Sequence, residues 1–576
     1  MKRSALETCR SGLLALPLLL WATTPALAGH TFDGNILMIF ENGGPNYKLG
    51  AGESNTFTPA CSTLINTLQN SSFNDNLGSI PPGFWGGLNI RWPEQNWQPA
   101  ASSIANGDND TVALIDYFDQ DDCDQCGYER RFEDVCFRGA IDPDGVDWTD
   151  GWLVQGDSAQ GLPPVLPPVT VHTGTLGGNE TWTAANTHLL RGKVTVPAGV
   201  TLTIDPGVII LGEKVTGPSF LNVAVGGFIL ANGTAGAPII MTSDQVVPTP
   251  GDWGGLVMSG DATANCADCR GDFGPPQFCS SEGDTTIKFC GTDDCDSSGA
   301  IQYVRVQYSG FVLGANNELN SFTWNAQGSR TVAHHLQAHK GSDDLFEWFG
   351  GTMNTSHLVG TGGEDDGLDW QAGFRGTCQF AVIQMALSTG DRGIEADNWE
   401  FDFDAVCRSN PLLANLTLIG PPPGSPTADS GIVLRRGTDA HIFNSILFDF
   451  PDANYEIRDG ETCERGANPA AASFCGATDA PVVALGGRGD AVSVRTFPNP
   501  VVNQAQFSIS LAHDGPTRLD VYDIQGRHVA NVLDQGMTPG EYAVSWTPET
   551  ALVPGAYFYR LENGSEPVTG KFVVVR

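Results

Sequence analysis

The residues best placed for chemistry lie in GSDDLFEWFGG from Gly341, GGEDDGLDWQAG from Gly362 and TGDRGIEADN from Thr389. Aligned, Asp343, Asp365 and Asp391 recur at nearly equal intervals, and Glu347, Asp369 and Glu395 keep the same intervals. The residues between them alternate: Phe346 with Trp348, Leu368 with Trp370, Ile394 with Ala396. That alternation is strand-like and sends the apolar set inward and the acidic set outward. Carboxylates stacked on neighbouring strands about 5 Å apart repel by roughly 3 kcal/mol at an effective dielectric near 20. Solvent, protonation, a basic partner or a cation must relieve this.

Three chemistries fit. In the first, Asp343, Asp344, Asp365, Asp366 and Asp391 form a Ca²⁺ site, because calcium takes several hard oxygen ligands. In the second, Glu347, Asp369 and Glu395 are candidate catalytic carboxylates for glycoside hydrolysis. A metal-assisted polysaccharide lyase is the variant of that reading, with Arg392 or Arg375 facing the substrate. No Gly-His-Gly or Arg-Ile-Lys motif accompanies these residues. In the third, the Asp-Asp-Gly turns simply close the chain through side-chain bonds to nearby backbone N–H groups. Arg392 aligns with Asp344 and Asp366 and is placed to neutralise part of the stack.

Histidine and cysteine supply the remaining ligand types. His335 and His357 share the interval between the first two acidic segments and should stack on adjacent strands, with His334 and His339 close by. Such a pair serves packing or, alternatively, zinc or catalysis. The chain has 14 Cys. Cys61 groups with Cys123, Cys126 and Cys136; Cys266 groups with Cys269, Cys279, Cys290 and Cys295. Cys378, Cys407, Cys463 and Cys475 are the clearest disulfide candidates downstream. In an oxidising compartment these residues staple loops, although the C-x-x-C pairs Cys123/Cys126 and Cys266/Cys269 also have zinc spacing.

The elements that position these residues read as all-β. Gly contributes 70 residues and Pro 36, and charged residues are only 17%. After the Pro-rich stretch Leu162–Pro168, short alternating runs separated by Gly turns recur: Val200–Ile204, Val208–Ile210, Leu221–Val225, Phe228–Leu230, Pro238–Met241 and Trp253–Met258. Leu202, Leu230 and Leu256 also recur at nearly equal intervals. Three short strands per turn of that length suit a parallel β-helix over residues 170–480. A Cys-rich insertion interrupts it at 262–298. Residues 29–165 form an N-terminal extension of unassigned fold, with Trp148 and Trp152 as packing anchors.

The two ends give the address. Lys2, Arg3 and Arg10, an apolar run from Leu13 to Trp21, and Ala26-Leu27-Ala28 read as a signal peptide over residues 1–28. No later stretch is long enough to span a membrane. Alternating residues and Gly/Pro turns over 492–576 indicate a small antiparallel sandwich. The formal net charge of −36 argues against nucleic acid, which needs a basic face.

Two resemblances extend this reading. VTVPAGVTLTIDPGVIILG, GGFILANGTAGAPIIMTS, GDWGGLV, GSDDLFEWFGG and GEDDGLDW resemble secreted right-handed parallel β-helix proteins of pectin-lyase-like fold. Pro498-Asn499-Pro500, Val521-Tyr522-Asp523 with Gly526-Arg527, and Tyr557-Phe558-Tyr559-Arg560 resemble the type A C-terminal sorting domain of the type IX secretion system, an Ig-like β-sandwich. The first resemblance implies a fold rather than a reaction. The second implies Sec export, handling by the type IX machinery, and release or attachment at the outer surface of a gram-negative cell. Together they describe an exported binding or structural module, cation-stabilised and directed at a polysaccharide or other surface ligand. A carbohydrate-active enzyme using the stacked acids is the alternative.

Overall fold

The structure is a computed structural model and describes residues 30–33, 36–38, 47–50, 75–77, 139–142, 145–154, 161–214, 217–266, 278–314, 317–386, 388–421, 429–467, 493–497, 505–511, 515–523, 527–537, 540–546, 555–563 and 568–574. The signal segment and Cys61, Cys123, Cys126, Cys136, Cys269 and Cys475 lie outside the described residues.

Alternation of inward and outward residues on short strands produces three stacks of parallel β-structure. One stack carries the acidic segments. It runs through Phe220–Val223, Leu256–Ser259, Phe322–Asn325, Phe346–Phe349, Leu368–Gln371, Ile394–Ala396, Ile432–Leu434 and Tyr455–Arg458. The other two stacks share long strands bent at one residue: Gly299–Gln307, Val332–His339, Asn354–Thr361, Thr377–Gln384 and Leu412–Ile419. Inward residues from all three fill one core, including Phe322, Trp324, Phe346, Trp348, Leu368 and Trp370. Phe322 and Phe346 stack with centroids 5.2 Å apart, and Trp324 and Trp348 pack tilted with centroids 4.8 Å apart. This is a parallel β-helix, of the right-handed kind that parallel crossovers adopt. The leucine spacing is corrected by the register. Leu202 stands opposite Ile229, while Leu256 stands opposite Leu221 and Phe322 on another face, so the three do not form one column.

The bend within each long strand falls on Tyr303, His335, His357, Phe380 and Asn415, with φ of 49°, 54°, 55°, 61° and 54°. Left-handed backbone is unfavourable for residues with a Cβ. Here the cost is offset by a column of side chains. Tyr303 stacks on His335 at 4.5 Å, His335 on His357 at 4.4 Å with rings 6° from parallel, and Phe380 follows at 4.9 Å.

The described strands at the N-terminal end pair with the solenoid. His30–Asp33 pairs parallel with Ala440–Phe443, Ile36–Met38 with Ile446–Phe448, and Tyr47–Gly50 with Tyr455–Arg458. The N-terminal strands thus add a three-strand coil to the last coil of the helix. The chain then returns along the outside of the solenoid. The Gly139 N–H donates to Asn444 O, the Ala140 N–H to Thr417 Oγ1 at 2.9 Å, and the Val154 N–H to Gln337 Oε1 at 2.9 Å. Gly139 needs to be glycine, since its φ is 86° and a Cβ would lie 2.9 Å from Thr417 Oγ1. Trp148 and Trp152 anchor this strap, with Ala140 and Ile141, on an outward apolar patch of Val359, Val382, Ile419, Ile446 and Phe448.

The region after Pro481 is a separate compact unit. Its two antiparallel sheets, of three and four strands, contribute Phe507, Ile509 and Leu511, and Leu519, Val521, Tyr557, Tyr559 and Leu561, to one core. Among the described residues no helix is long and apolar enough to cross a membrane.

Cysteine usage needs two corrections. Cys378 is a free thiol, not half of a disulfide. Its strand directs it into the β-helix core, where it packs as a small apolar residue and burial pushes its thiol up to about 12. Cys266 bonds to Cys279, which removes Cys266 from any zinc pair with Cys269. Cys290, Cys295, Cys407 and Cys463 are disulfide-bonded as well.

Candidate functional site

The acidic ladder is real and in register. Glu347 stands opposite Asp369, and Asp369 opposite Glu395, on three consecutive coils. The turns before these strands stack too. The Asp366 N–H donates to Asp344 Oδ1 at 3.1 Å, and the Arg392 N–H to Asp366 Oδ1 at 2.9 Å. Asp344 and Asp366 therefore close the coils by bonding the backbone of the next coil, while Asp343 bonds the Asp344 N–H within its own turn.

The ladder points out of the coil yet does not reach solvent. Glu347, Asp369 and Glu395 are only 2%, 8% and 7% exposed. The Cys-rich segment folds over this face, where Glu282 hydrogen-bonds to Glu347 and Asn325 Nδ2 donates to Ser281 Oγ at 2.9 Å. Two apolar clusters fix this cover: Ile287 with Phe220, Val257 and Leu319, and Phe289 with Ala262, Ala264 and Phe349. Lys193 holds Asp284 at 2.8 Å at one margin.

Charge is balanced unevenly along the ladder. Arg392 meets Glu395 at 2.5 Å, Asp391 at 3.1 Å, Asp429 at 3.2 Å and Asp366 at 3.3 Å. Arg435 pairs with Glu395 and with Asp397 at 2.7 Å, and Arg436 with Asp397 at 2.8 Å. Arg458 pairs with Asp429 and Glu456. On the upstream coil Glu347 meets amides besides Glu282: Asn320 Nδ2 donates to Glu347 Oε2, and Gln371 Nε2 to Glu347 Oε1 at 3.2 Å. Asp369 Oδ1 is buried with no hydrogen-bond partner among the described residues.

The ionisation of these groups follows. Burial, then neighbouring carboxylates, pushes Asp343, Asp344, Glu347, Asp366 and Asp369 well above the usual carboxylate range. Burial raises Asp391 to about 6 despite Arg392, and raises Glu282, beside Glu318, to about 7. Glu395 is also raised, since burial outweighs Arg435 and Arg392.

Carboxylate oxygens come within 4.8 Å of one another in Asp343/Asp344/Asp365, in Asp365/Asp366/Asp391 and in the buried Asp344/Asp366/Asp369. Such clusters can hold a metal ion. The sequence placed Asp369 among the catalytic candidates; its position also makes it a ligand candidate. Asn320, Gln371, Arg435 and Glu282 were not singled out by sequence reasoning. Arg435 had no visible repeat partner, and Glu282 lies far upstream of Glu347, inside the insertion, where the repeat is interrupted.

The histidines have a different role. His335 and His357 stack face to face at the strand bend, with Trp148 edge-on to His357 at 4.9 Å. Burial lowers them to about 3 and about 4. His334 Nδ1 contacts His335 Nδ1 at 2.9 Å, and His339 Nδ1 contacts Thr361 Oγ1 at 2.7 Å. Among the described residues, no three-ligand group includes a histidine.

A parallel solenoid whose outward acids are buried beneath an inserted cover is a β-helix protein of the lyase-like kind in fold. The chain belongs to the family of the pectate-lyase-like β-helix domain, whose model matches residues 174–476. Residues 495–575 match the secretion system C-terminal sorting domain, which marks the chain as a secreted or surface-attached protein handled by that secretion machinery. No curated protein and no solved structure matches the chain.

Proposed function

We propose that this is an exported binding or structural module of the gram-negative outer surface, carried out by Sec export and type IX secretion. Its solenoid is fastened by Ca²⁺ at the turns of Asp343, Asp344, Asp365, Asp366 and Asp391, and its long faces are available to a polysaccharide or other surface ligand. The observation that carries this reading is the burial of Glu347, Asp369 and Glu395, the first two within reach of Glu282 of the Cys-rich segment and the third against Arg392 and Arg435. A glycosidase or lyase needs its carboxylates beside the substrate, whereas a structural cation needs them gathered and shielded.

The test is a calorimetric Ca²⁺ titration of the full chain combined with thermal unfolding. Binding is expected. At 100-fold excess over Kd it should add about 2.7 kcal/mol and raise the melting temperature by roughly 5 °C. No heat and no shift would remove calcium from the proposal. Reducing-end release from a polysaccharide panel that disappears in Asp366→Asn and Asp369→Asn would replace the binding module with an enzyme.

A further inference from the structure

A loop that covers a charged face ordinarily brings the opposite charge to it. This cover brings the same charge. Glu282 reaches Glu347 and sits within electrostatic range of Asp343, Asp369 and Glu318. Glu318, in the short hairpin of Val312–Gly314 and Asn317–Glu318, adds a further carboxylate near Asp343. The cover's Lys288 turns away to Ser280 Oγ, and Lys193, on the solenoid strand Thr187–Val196, is held at the margin by Asp284. Two cations act on this part of the ladder: Arg392 is shared among four carboxylates, of which only Asp366 belongs to the buried triad, and Arg435 is bonded to Glu395 and Asp397 and reaches Asp369 only through its field.

Beneath the cover, Asp344, Asp366 and Asp369 place oxygens within 4.8 Å of one another. Asp369 Oδ1 is buried and has no hydrogen-bond partner among the described residues. A buried, unpartnered carboxylate oxygen is costly unless something meets it. Oxygens gathered this closely can share one divalent ion, whether Ca²⁺ with oxygens at about 2.3–2.6 Å or Mg²⁺ at about 2.0–2.1 Å.

We infer that one divalent cation, bound by Asp344, Asp366 and Asp369, is the counter-charge on which docking of the Cys-rich segment depends, with Glu347 and Glu282 forming the ring around it. This rests on the cation reading above and makes the cation a clamp between coil and cover. The two apolar clusters position the segment, a shared proton holds Glu282 to Glu347 where the pair is protonated, and once both are ionised the ion cancels the repulsion that would otherwise lift the Glu282 edge.

The experiment is amide hydrogen exchange across residues 278–298 of the full chain, in EDTA, in Ca²⁺ and in matched NaCl. Exchange at 280–290 is expected to quicken at least tenfold in EDTA and to recover with Ca²⁺ but not with Na⁺. Glu282→Gln with Glu318→Gln should keep these amides protected in EDTA, because the repulsion is gone. Asp369→Asn should remove the heat of the Asp344/Asp366/Asp369 site and leave any binding at the Asp343, Asp365 and Asp391 turns. If Ca²⁺ gives no heat with the wild-type chain, both this inference and the cation reading fall. If Ca²⁺ binds and exchange at 280–290 does not change, the clamp alone falls. If Asp369→Asn binds Ca²⁺ like the wild type, the ligand assignment is wrong. The wild-type comparison stands even where a variant fails to fold.

Discussion

His335 and His357 show how a residue type with catalytic capacity is spent on architecture. Both sit at a left-handed bend, at φ of 54° and 55°, in a column with Tyr303 and Phe380. Burial holds them neutral, at about 3 and about 4 against an ordinary 6.5. Their folded values lie below the unfolded one. Between about pH 6.5 and pH 4 the unfolded chain therefore takes up protons that the folded chain does not. Their contribution is complete above pH 6.5 and is lost as the pH falls. Because both rings are partly exposed, we expect roughly 1 kcal/mol each by pH 5 rather than the full value of a sealed site. The raised carboxylates of the ladder act in the opposite direction, so the comparison must be between variants. Asn already occupies the same bend at Asn415 and Asn444, and it tolerates left-handed backbone. His335→Asn/His357→Asn should therefore fold, and between pH 7 and pH 5 it should lose about 2 kcal/mol less stability than the wild type. Parallel pH–stability curves for the two proteins would contradict this account.

At the scale of elements, the strap over residues 139–154 is the least expected feature. Strand alternation predicts polar residues on the outer face of a solenoid, yet Val359, Val382, Ile419, Ile446 and Phe448 point outward and are buried. Those apolar residues at outward positions were the available signal that something covers them. Trp148 and Trp152 were legible as anchors, but their partners lie several coils further along the chain, and no local pattern reaches that far. The ladder was legible for the opposite reason, since near-equal intervals fix the register of Glu347, Asp369 and Glu395 whatever lies above them. Its burial was not, because the covering Glu282 carries the same sign and gives no hint of complementarity. Cys378 was misread because cysteine type outweighed its place on an inward-facing strand position. If the strap is held by its aromatics, Trp152→Ala should be severe, because Trp152 is 1% exposed. Truncating a buried aromatic of that size costs about 3–5 kcal/mol. Chemical denaturation should show that loss, and limited proteolysis should cut between residues 139 and 161. A variant that remains uncut and loses less than about 1 kcal/mol would mean that the strap's backbone bonds suffice without the indole.

At the scale of the molecule, a parallel solenoid has an edge problem at each end. Every coil offers unpaired N–H and C=O groups to the next, and the last coil offers them to whatever arrives. This chain meets the problem at its C-terminal coils in two ways. The first is charge: Arg392, Arg435, Arg436 and Arg458 gather there, so the acidity behind the net charge of −36 is locally paired rather than left to repel neighbours. Paired charge gives less protection against association than unpaired charge. The second device is then necessary: His30–Asp33, Ile36–Met38 and Tyr47–Gly50 pair over all three faces of the final coil. The first strands of the chain thus cap the last strands of the solenoid. Deleting residues 30–50 should leave Ala440–Phe443, Ile446–Phe448 and Tyr455–Arg458 open as templates for strand addition. Light scattering coupled to size-exclusion chromatography should then show dimers and larger species that grow with concentration, with the melting temperature lowered by several degrees. A monodisperse monomer with an unchanged melting transition would show that the N-terminal strands are an ornament on an edge already protected by its arginines.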